Sequence, residues 1–189
     1  MKNVVYFHGI HGDTTKSVAP YIAKELEKIN IPMIYPTFFD KGYAYYENFK
    51  KVADKLLEEN LITSETIVIS HSIGNPFSVR FLTENNLKPF AYISLAGWVE
   101  KFDVSDAIKD ETYKAIPDKK YLTYIKENVK KRLSIYSNDD KVPFEVLEHF
   151  SKEIDSKFIY IPDKKHFGTT SGIQELPELI EILKNEKII

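Results

Sequence analysis

The residues of this chain with the clearest capacity for chemistry stand at the ends of apolar runs, and the foremost is a serine. Ser72 lies in Ser70-His71-Ser72-Ile73-Gly74, after the β-branched run Thr66-Ile67-Val68-Ile69-Ser70 and before a helical stretch through Phe77, Phe81 and Leu82. A serine between a buried strand and a helix can ride on a turn so tight that small residues are needed two positions to either side. Ser70 and Gly74 meet that need. Such a turn exposes the Oγ at the carboxyl end of the strand and aims the first helical amides at it. That suits attack on a carbonyl and stabilisation of the resulting oxyanion. The plain alternative is a serine capping an ordinary helix.

Serine attacks only when a base takes its proton, and the usual base is histidine. The chain has 5 histidines. His71 adjoins Ser72, so its ring is expected to turn away across the tight turn. His149 falls inside an amphipathic stretch and reads as a surface or packing residue. His8 and His11 flank Gly9 after the first apolar run, and two histidines without a third ligand make a poor metal site. His166 is placed differently, in the loop Lys164-Lys165-His166-Phe167-Gly168 that follows the last strand-like run. A base there completes the chain order serine, acid, histidine.

The acid that would orient the imidazole is Asp139 or Asp140, in Ser137-Asn138-Asp139-Asp140-Lys141-Val142-Pro143, directly after another strand-like run. Read plainly, the same segment is a polar turn with Pro143 opening a helix, which is compatible with either aspartate being functional. The first run ends in His8-Gly9-Ile10-His11-Gly12. A glycine-containing loop there offers the Ile10 N–H as an oxyanion donor beside that of Ile73. It lacks the Gly-Lys-Ser/Thr signature of a phosphate loop.

These residues are positioned by an alternation of short β-rich runs and amphipathic stretches. The runs are Val4–Phe7, Met33–Tyr35, Thr66–Ser70, Ala91–Leu95, Leu133–Tyr136 and Phe158–Ile161. Between and after them lie helical stripes: Val18, Tyr21, Ile22, Leu26, Ile29; then Phe49, Val52, Ala53, Leu56, Leu57; then Tyr121, Leu122, Ile125, Val129; finally Ile173, Leu176, Leu179, Ile180, Leu183. Continuous β-branched runs alternating with helices predict about six strands in a mostly parallel sheet with helices on both faces. One segment breaks the rhythm. Val99 to Asp118 is too long for a tight connection and is expected to be a small lid or a surface excursion.

Composition narrows the field. A chain of 189 residues forms one domain, 1–189, with an ordinary 43 % hydrophobic and 29 % charged content. A net charge of -2 without a basic stripe gives nucleic acid no electrostatic footprint. The absence of cysteine excludes a disulfide framework, a thiolate nucleophile and a cysteine zinc site. The apolar run at the N-terminus is too short for a signal peptide or a membrane span, so a cytoplasmic protein without membrane contact is expected.

The segments Phe7-His8-Gly9, His71-Ser72-Ile73-Gly74-Asn75-Pro76 with Arg80-Phe81-Leu82, Ser137-Asn138-Asp139-Asp140 with Val142-Pro143, and His166-Phe167 resemble, in order, the small serine hydrolases that include retinoblastoma-binding protein 9 and the YdeN-like proteins. The resemblance implies an α/β-hydrolase fold with a minimal cap, a Ser-Asp-His triad and activity on simple carboxylic esters. Two spacings bear on the acid. Family members tend to place it three residues after a small residue, which from Ser137 selects Asp140. Counted back from the helix, the pattern Asp-x-x-Val-Pro selects Asp139. The second count is preferred, because amides of that turn orient the carboxylate and the strand's entry can slide by one residue.

The expected protein is therefore a serine hydrolase cleaving a small-molecule ester or thioester through an acyl-enzyme, with Ser72, His166 and Asp139 as triad and Asp140 as alternate acid. It needs no metal or organic cofactor. Trp98, Phe144 and Phe167 are expected either to line an acyl pocket near the site or to be ordinary core. The rival is a protein-interaction module that keeps the scaffold without turnover, and a protein partner is not readable from the sequence.

Overall fold

The β-rich runs become six strands: β1 (Val4–Phe7), β2 (Met33–Ile34), β3 (Ile67–His71), β4 (Ala91–Leu95), β5 (Lys131–Tyr136) and β6 (Lys157–Tyr160). In this computed structural model the described residues are 2–10, 17–38, 44–102, 116–139, 141–168 and 171–189. The helices among them are α1 (Ala19–Glu27), α2 (Tyr46–Glu58), α3 (Gly74–Glu84), α4 (Lys119–Asn128), α5 (Phe144–Glu153) and α6 (Pro177–Asn185).

The strands pair in the order β2-β1-β3-β4-β5-β6, and every pairing is parallel. Every residue of β1, β3 and β4 is buried, which is why their sequences run apolar without alternation. The strand order reverses at β1: the chain leaves β1 toward β2 on one side and leaves β3 toward β4 on the other. Right-handed crossovers in two directions place helices on both faces of the sheet. Accordingly α2, α3, α4 and α5 pack each on the next, while α1 packs against α6. The carboxyl ends of β1 and β3, where the order reverses, are the place where sheets of this kind hold ligands.

Several boundaries differ from expectation for local reasons. The first helix begins at Ala19 with Pro20 in its first turn, and residues 11–16 lie outside the described residues. The last begins at Pro177, so Ile173 packs against the core from the preceding loop. β5 starts at Lys131, two residues before its apolar run, because Lys131 and Arg132 pair with Ala91 and Tyr92 of β4. β6 is the sheet edge, and Tyr160 on it is 51 % exposed. Of the proposed lid 99–118, residues 103–115 lie outside the described residues.

Aromatic side chains fill the space between the sheet and α2–α3. Phe49 is fully buried, with ring centroids 4.8 Å from Phe38, 5.3 Å from Phe7, 5.5 Å from Phe77, 5.9 Å from Tyr46 and 6.1 Å from Phe81. Truncating a ring with so many fixed neighbours leaves a cavity they cannot fill. Phe49→Ala is therefore expected to cost about 3–5 kcal/mol, read from urea unfolding midpoints. A loss under about 1 kcal/mol would mean the cluster repacks freely.

Candidate active site

Ser72 stands where β3 turns into α3, and its backbone is left-handed, φ 51°. A non-glycine residue holds that conformation only when its surroundings over-determine it. Here the Ser72 N–H donates to the Leu95 carbonyl (3.0 Å), continuing the β3–β4 ladder by one bond. The Ser72 carbonyl accepts from the Asn75 N–H at 2.9 Å and from Asn75 Nδ2 at 3.1 Å. The same Nδ2 donates to the Ser70 carbonyl at 3.2 Å and the Leu95 carbonyl at 3.3 Å.

The small residues flanking Ser72 are small for different reasons. A Cβ on Gly74 would collide with the Phe7 carbonyl oxygen, so the start of α3 lies directly against the end of β1. Ser70, by contrast, has room for its hydroxyl. Its Oγ is 2.7 Å from Ser78 Oγ, which in turn is 3.0 Å from the Tyr92 hydroxyl. Tyr92 completes the buried circuit by donating to Asn75 Oδ1 at 3.1 Å.

From Ser72 outward runs a line of hydrogen bonds. Ser72 Oγ–H donates to His166 Nε2 at 2.9 Å, and His166 Nδ1–H donates to Asp139 Oδ2 at 2.7 Å. The carboxylate fixes the tautomer, because Nδ1 must carry the proton and Nε2 must keep its lone pair. Asp139 Oδ1 accepts from the N–H groups of Lys141 (2.7 Å) and Val142 (3.1 Å). A nearly buried charge, its side chain 2 % exposed, thus meets three donors. Asp140, the alternate acid, lies outside the described residues. The acid and histidine loops are tied together, the Lys164 N–H donating to Ser137 Oγ at 2.9 Å.

A Cβ on Gly9 would come 3.2 Å from Ser72 Cβ, which brings the loop after β1 against the serine. Ile10 follows in that loop, and Ile73 stands just before α3. Among the described residues, the N–H groups of Ile10 and Ile73 make no backbone hydrogen bond outside the helices and strands.

Two other histidines surround this line: His8, expected to make a poor metal site, and His71, expected to turn its ring away from Ser72. His8 is 1 % exposed: its Nδ1–H donates to the Gly9 carbonyl at 2.6 Å and its Nε2 accepts the Phe38 N–H at 2.8 Å. With both nitrogens hydrogen-bonded, His8 braces the loop. Burial lowers its pKa. His11 lies outside the described residues, and among those described no three His, Asp or Glu side chains form a group able to hold a metal. His71 turns its Nε2–H to the His166 carbonyl at 2.7 Å, and burial drives its pKa down to about 3. His149 is a surface residue on α5, with Nε2 3.6 Å from Glu100 Oε2.

Of the three residues expected in pocket or core, Trp98 and Phe167 have no exposed surface and pack in the core, where Trp98 meets Phe102 edge-on at 5.2 Å. Phe144 is 49 % exposed and lines, with Tyr136, Asn138, Asp139 and Tyr160, an open groove of about 390 Å³ that Ser72 and His166 do not border.

The model for a family described as serine hydrolase matches residues 50–185. Among solved structures, the ydeN gene product of B. subtilis superposes with a TM-score of 0.86 at 21 % identity, covering 98 % of each chain. A carboxylesterase structure from the ammonia-oxidizing thaumarchaeon Nitrososphaera gargenis gives 0.71 at 16 % identity, over 97 % of this chain and 88 % of that one. A putative YdeN-like hydrolase of Pectobacterium atrosepticum gives 0.70 at 14 %, over 100 % and 93 %. Among curated proteins the sequence finds no match. No described helix is long and apolar enough to cross a membrane.

The buried histidines make stability depend on pH. His71 has its pKa lowered from 6.5 to about 3 in the folded chain. Between those values the unfolded chain binds a proton there that the folded chain does not, so acid favours unfolding; above 6.5 neither state binds it. Folding stability should therefore fall as pH drops from about 6.5, with His71 contributing at most about 1.4 kcal/mol per pH unit. His71→Gln should flatten the curve of unfolding free energy against pH between 6 and 4.5. An unchanged slope would contradict the neutral, buried assignment.

Proposed function

Because the chain has the α/β-hydrolase fold and belongs to the serine hydrolase family, we propose that it hydrolyses small carboxylic esters or thioesters by acyl transfer to Ser72. One observation carries this reading: the unbroken line from Ser72 Oγ through His166 to Asp139, with contacts of 2.9 and 2.7 Å. In the first half-reaction His166 Nε2 takes the Ser72 proton as Oγ bonds the acyl carbon, and the resulting imidazolium is balanced by Asp139. The N–H groups of Ile10 and Ile73 receive the oxyanion. His166 then gives its proton to the departing alcohol or thiol, leaving the acyl group on Ser72. In the second half, His166 deprotonates a water that attacks the same carbon, and Ser72 regains its proton as the acid leaves.

The substrate class follows from the acyl carbonyl this scheme requires, and the structural likeness to a protein described as a carboxylesterase supports it. Nothing in the scheme calls for a metal or organic cofactor, since the His166 imidazole, the Asp139 carboxylate and two amides handle every proton and charge. A fluorophosphonate should label Ser72, and p-nitrophenyl ester and thioester panels should show turnover. Ser72→Ala is expected to abolish labelling and to lower turnover by about 10⁴–10⁶, and Asp139→Asn to lower it by about 10⁴ through the wrong imidazole tautomer. Absence of both labelling and turnover in the folded wild type would favour an interaction protein on this scaffold.

A further inference from the structure

The acyl-transfer scheme leaves one imidazole beside the reacting groups unused. His71 closes β3, is 6 % exposed, and occupies the junction of three loops. The loop after β1 is cut back to glycine against it: a Cβ on Gly9 would come 3.0 Å from His71 Nδ1 and 3.2 Å from its Cε1. The histidine loop is cut back likewise, since a Cβ on Gly168 would come 3.2 Å from His71 Cε1. The ring's own N–H is spent on a single acceptor, the carbonyl of His166, at 2.7 Å.

That acceptor belongs to a backbone in need of outside support. Lys165 (φ 45°) and Phe167 (φ 54°) are both left-handed, on either side of His166, and neither is glycine. Local bonds brace the loop: the Phe167 N–H donates to the Lys164 carbonyl at 2.9 Å and the His166 N–H to Ser171 Oγ at 3.2 Å. These join the loop to itself. The bond from His71 joins the peptide of His166 to the residue next to Ser72, and so couples the two groups that exchange a proton.

We propose that His71 is a positioning residue, whose N–H bond to the His166 carbonyl sets the distance and angle of the His166 ring over Ser72. The inference rests on the acyl-transfer reading above. The choice of imidazole as donor has an electrostatic reason. The two rings are 5.1 Å apart, and His166 becomes cationic when it takes the serine proton. A lysine or arginine donor would set a second positive charge beside it. A histidine held neutral by burial donates without that repulsion. The titratable groups facing it are His166, Asp139 and His8.

The test compares three variants at this position. His71→Gln carries an amide N–H that reaches the place of Nε2, whereas the shorter His71→Asn puts its amide near the place of Nδ1. His71→Leu keeps bulk and has no donor. A displacement of the base acts on the chemical step, so Leu and Asn should lower kcat about 100-fold with KM nearly unchanged, and Gln should restore most of it. Melting temperatures accompany each measurement, and should Leu fail to fold, the Gln–Asn pair decides. Equal kcat for Gln and Asn overturns the positioning role, as does wild-type kcat in Leu. Failure of fluorophosphonate to label the wild type is a separate result: it removes the acyl-transfer reading and this inference with it. Labelling of the wild type with unaffected variants removes the inference alone.

Discussion

The left-handed backbone of Ser72 (φ 51°) is a conformation that costs a non-glycine residue about 1–3 kcal/mol, and the carboxyl edge of the sheet is organised around holding it. Asn75 spends its side-chain amide on three carbonyls of that turn, those of Ser70, Ser72 and Leu95. Behind it, Ser70, Ser78 and Tyr92 form a buried hydroxyl circuit that leaves no donor of the group without an acceptor. A polar network of this kind is stabilising only when complete, so each member constrains the others. In front, Gly74 lets α3 begin against the end of β1, which fixes how near the loop after β1 can approach the serine.

The sheet supplies the other half of the constraint. Its order reverses at β1, so the chain leaves β1 and β3 in opposite directions along the sheet, at the switch point where such sheets hold ligands. The loops after β5 and β6 bring Asp139 and His166 to the same edge, because all strands are parallel and their carboxyl ends coincide. Chain positions 72, 139 and 166, far apart in sequence, therefore meet within hydrogen-bonding distance. The geometry of the line is a consequence of topology more than of any local preference.

Sequence made the fold legible where burial on both faces leaves an unbroken apolar run, as in β1, β3 and β4. It was less informative where an element is half covered. β5 begins with Lys131 and Arg132, which look like loop, and nothing in the apolar run of β6 marks it as the sheet edge. At the site, Ser72 and His166 could be singled out because a reactive side chain after a strand is conspicuous. Asp139 stood out through Val142 and Pro143, whose turn supplies amides to the carboxylate. What could not be read were His8 and His71. Their partners, Phe38 and the His166 carbonyl, are 30 and 95 positions away and include backbone groups, which carry no residue-type signal. For Trp98 and Phe167 the sequence left pocket wall and core both open, and only packing distinguishes them: both are fully buried.

The account stands on Ser72 becoming acylated during turnover, and the most direct measurement is of that bond. Rapid quenching of the wild type in acid during the reaction with p-nitrophenyl acetate, followed by peptide mass mapping, should find an acetyl group on the peptide containing Ser72. It should be absent from Ser72→Ala, and p-nitrophenol release should show a matching early burst wherever deacylation is the slower step. Turnover with no acetyl group on Ser72 at any time, while the ester is demonstrably consumed, would contradict the account.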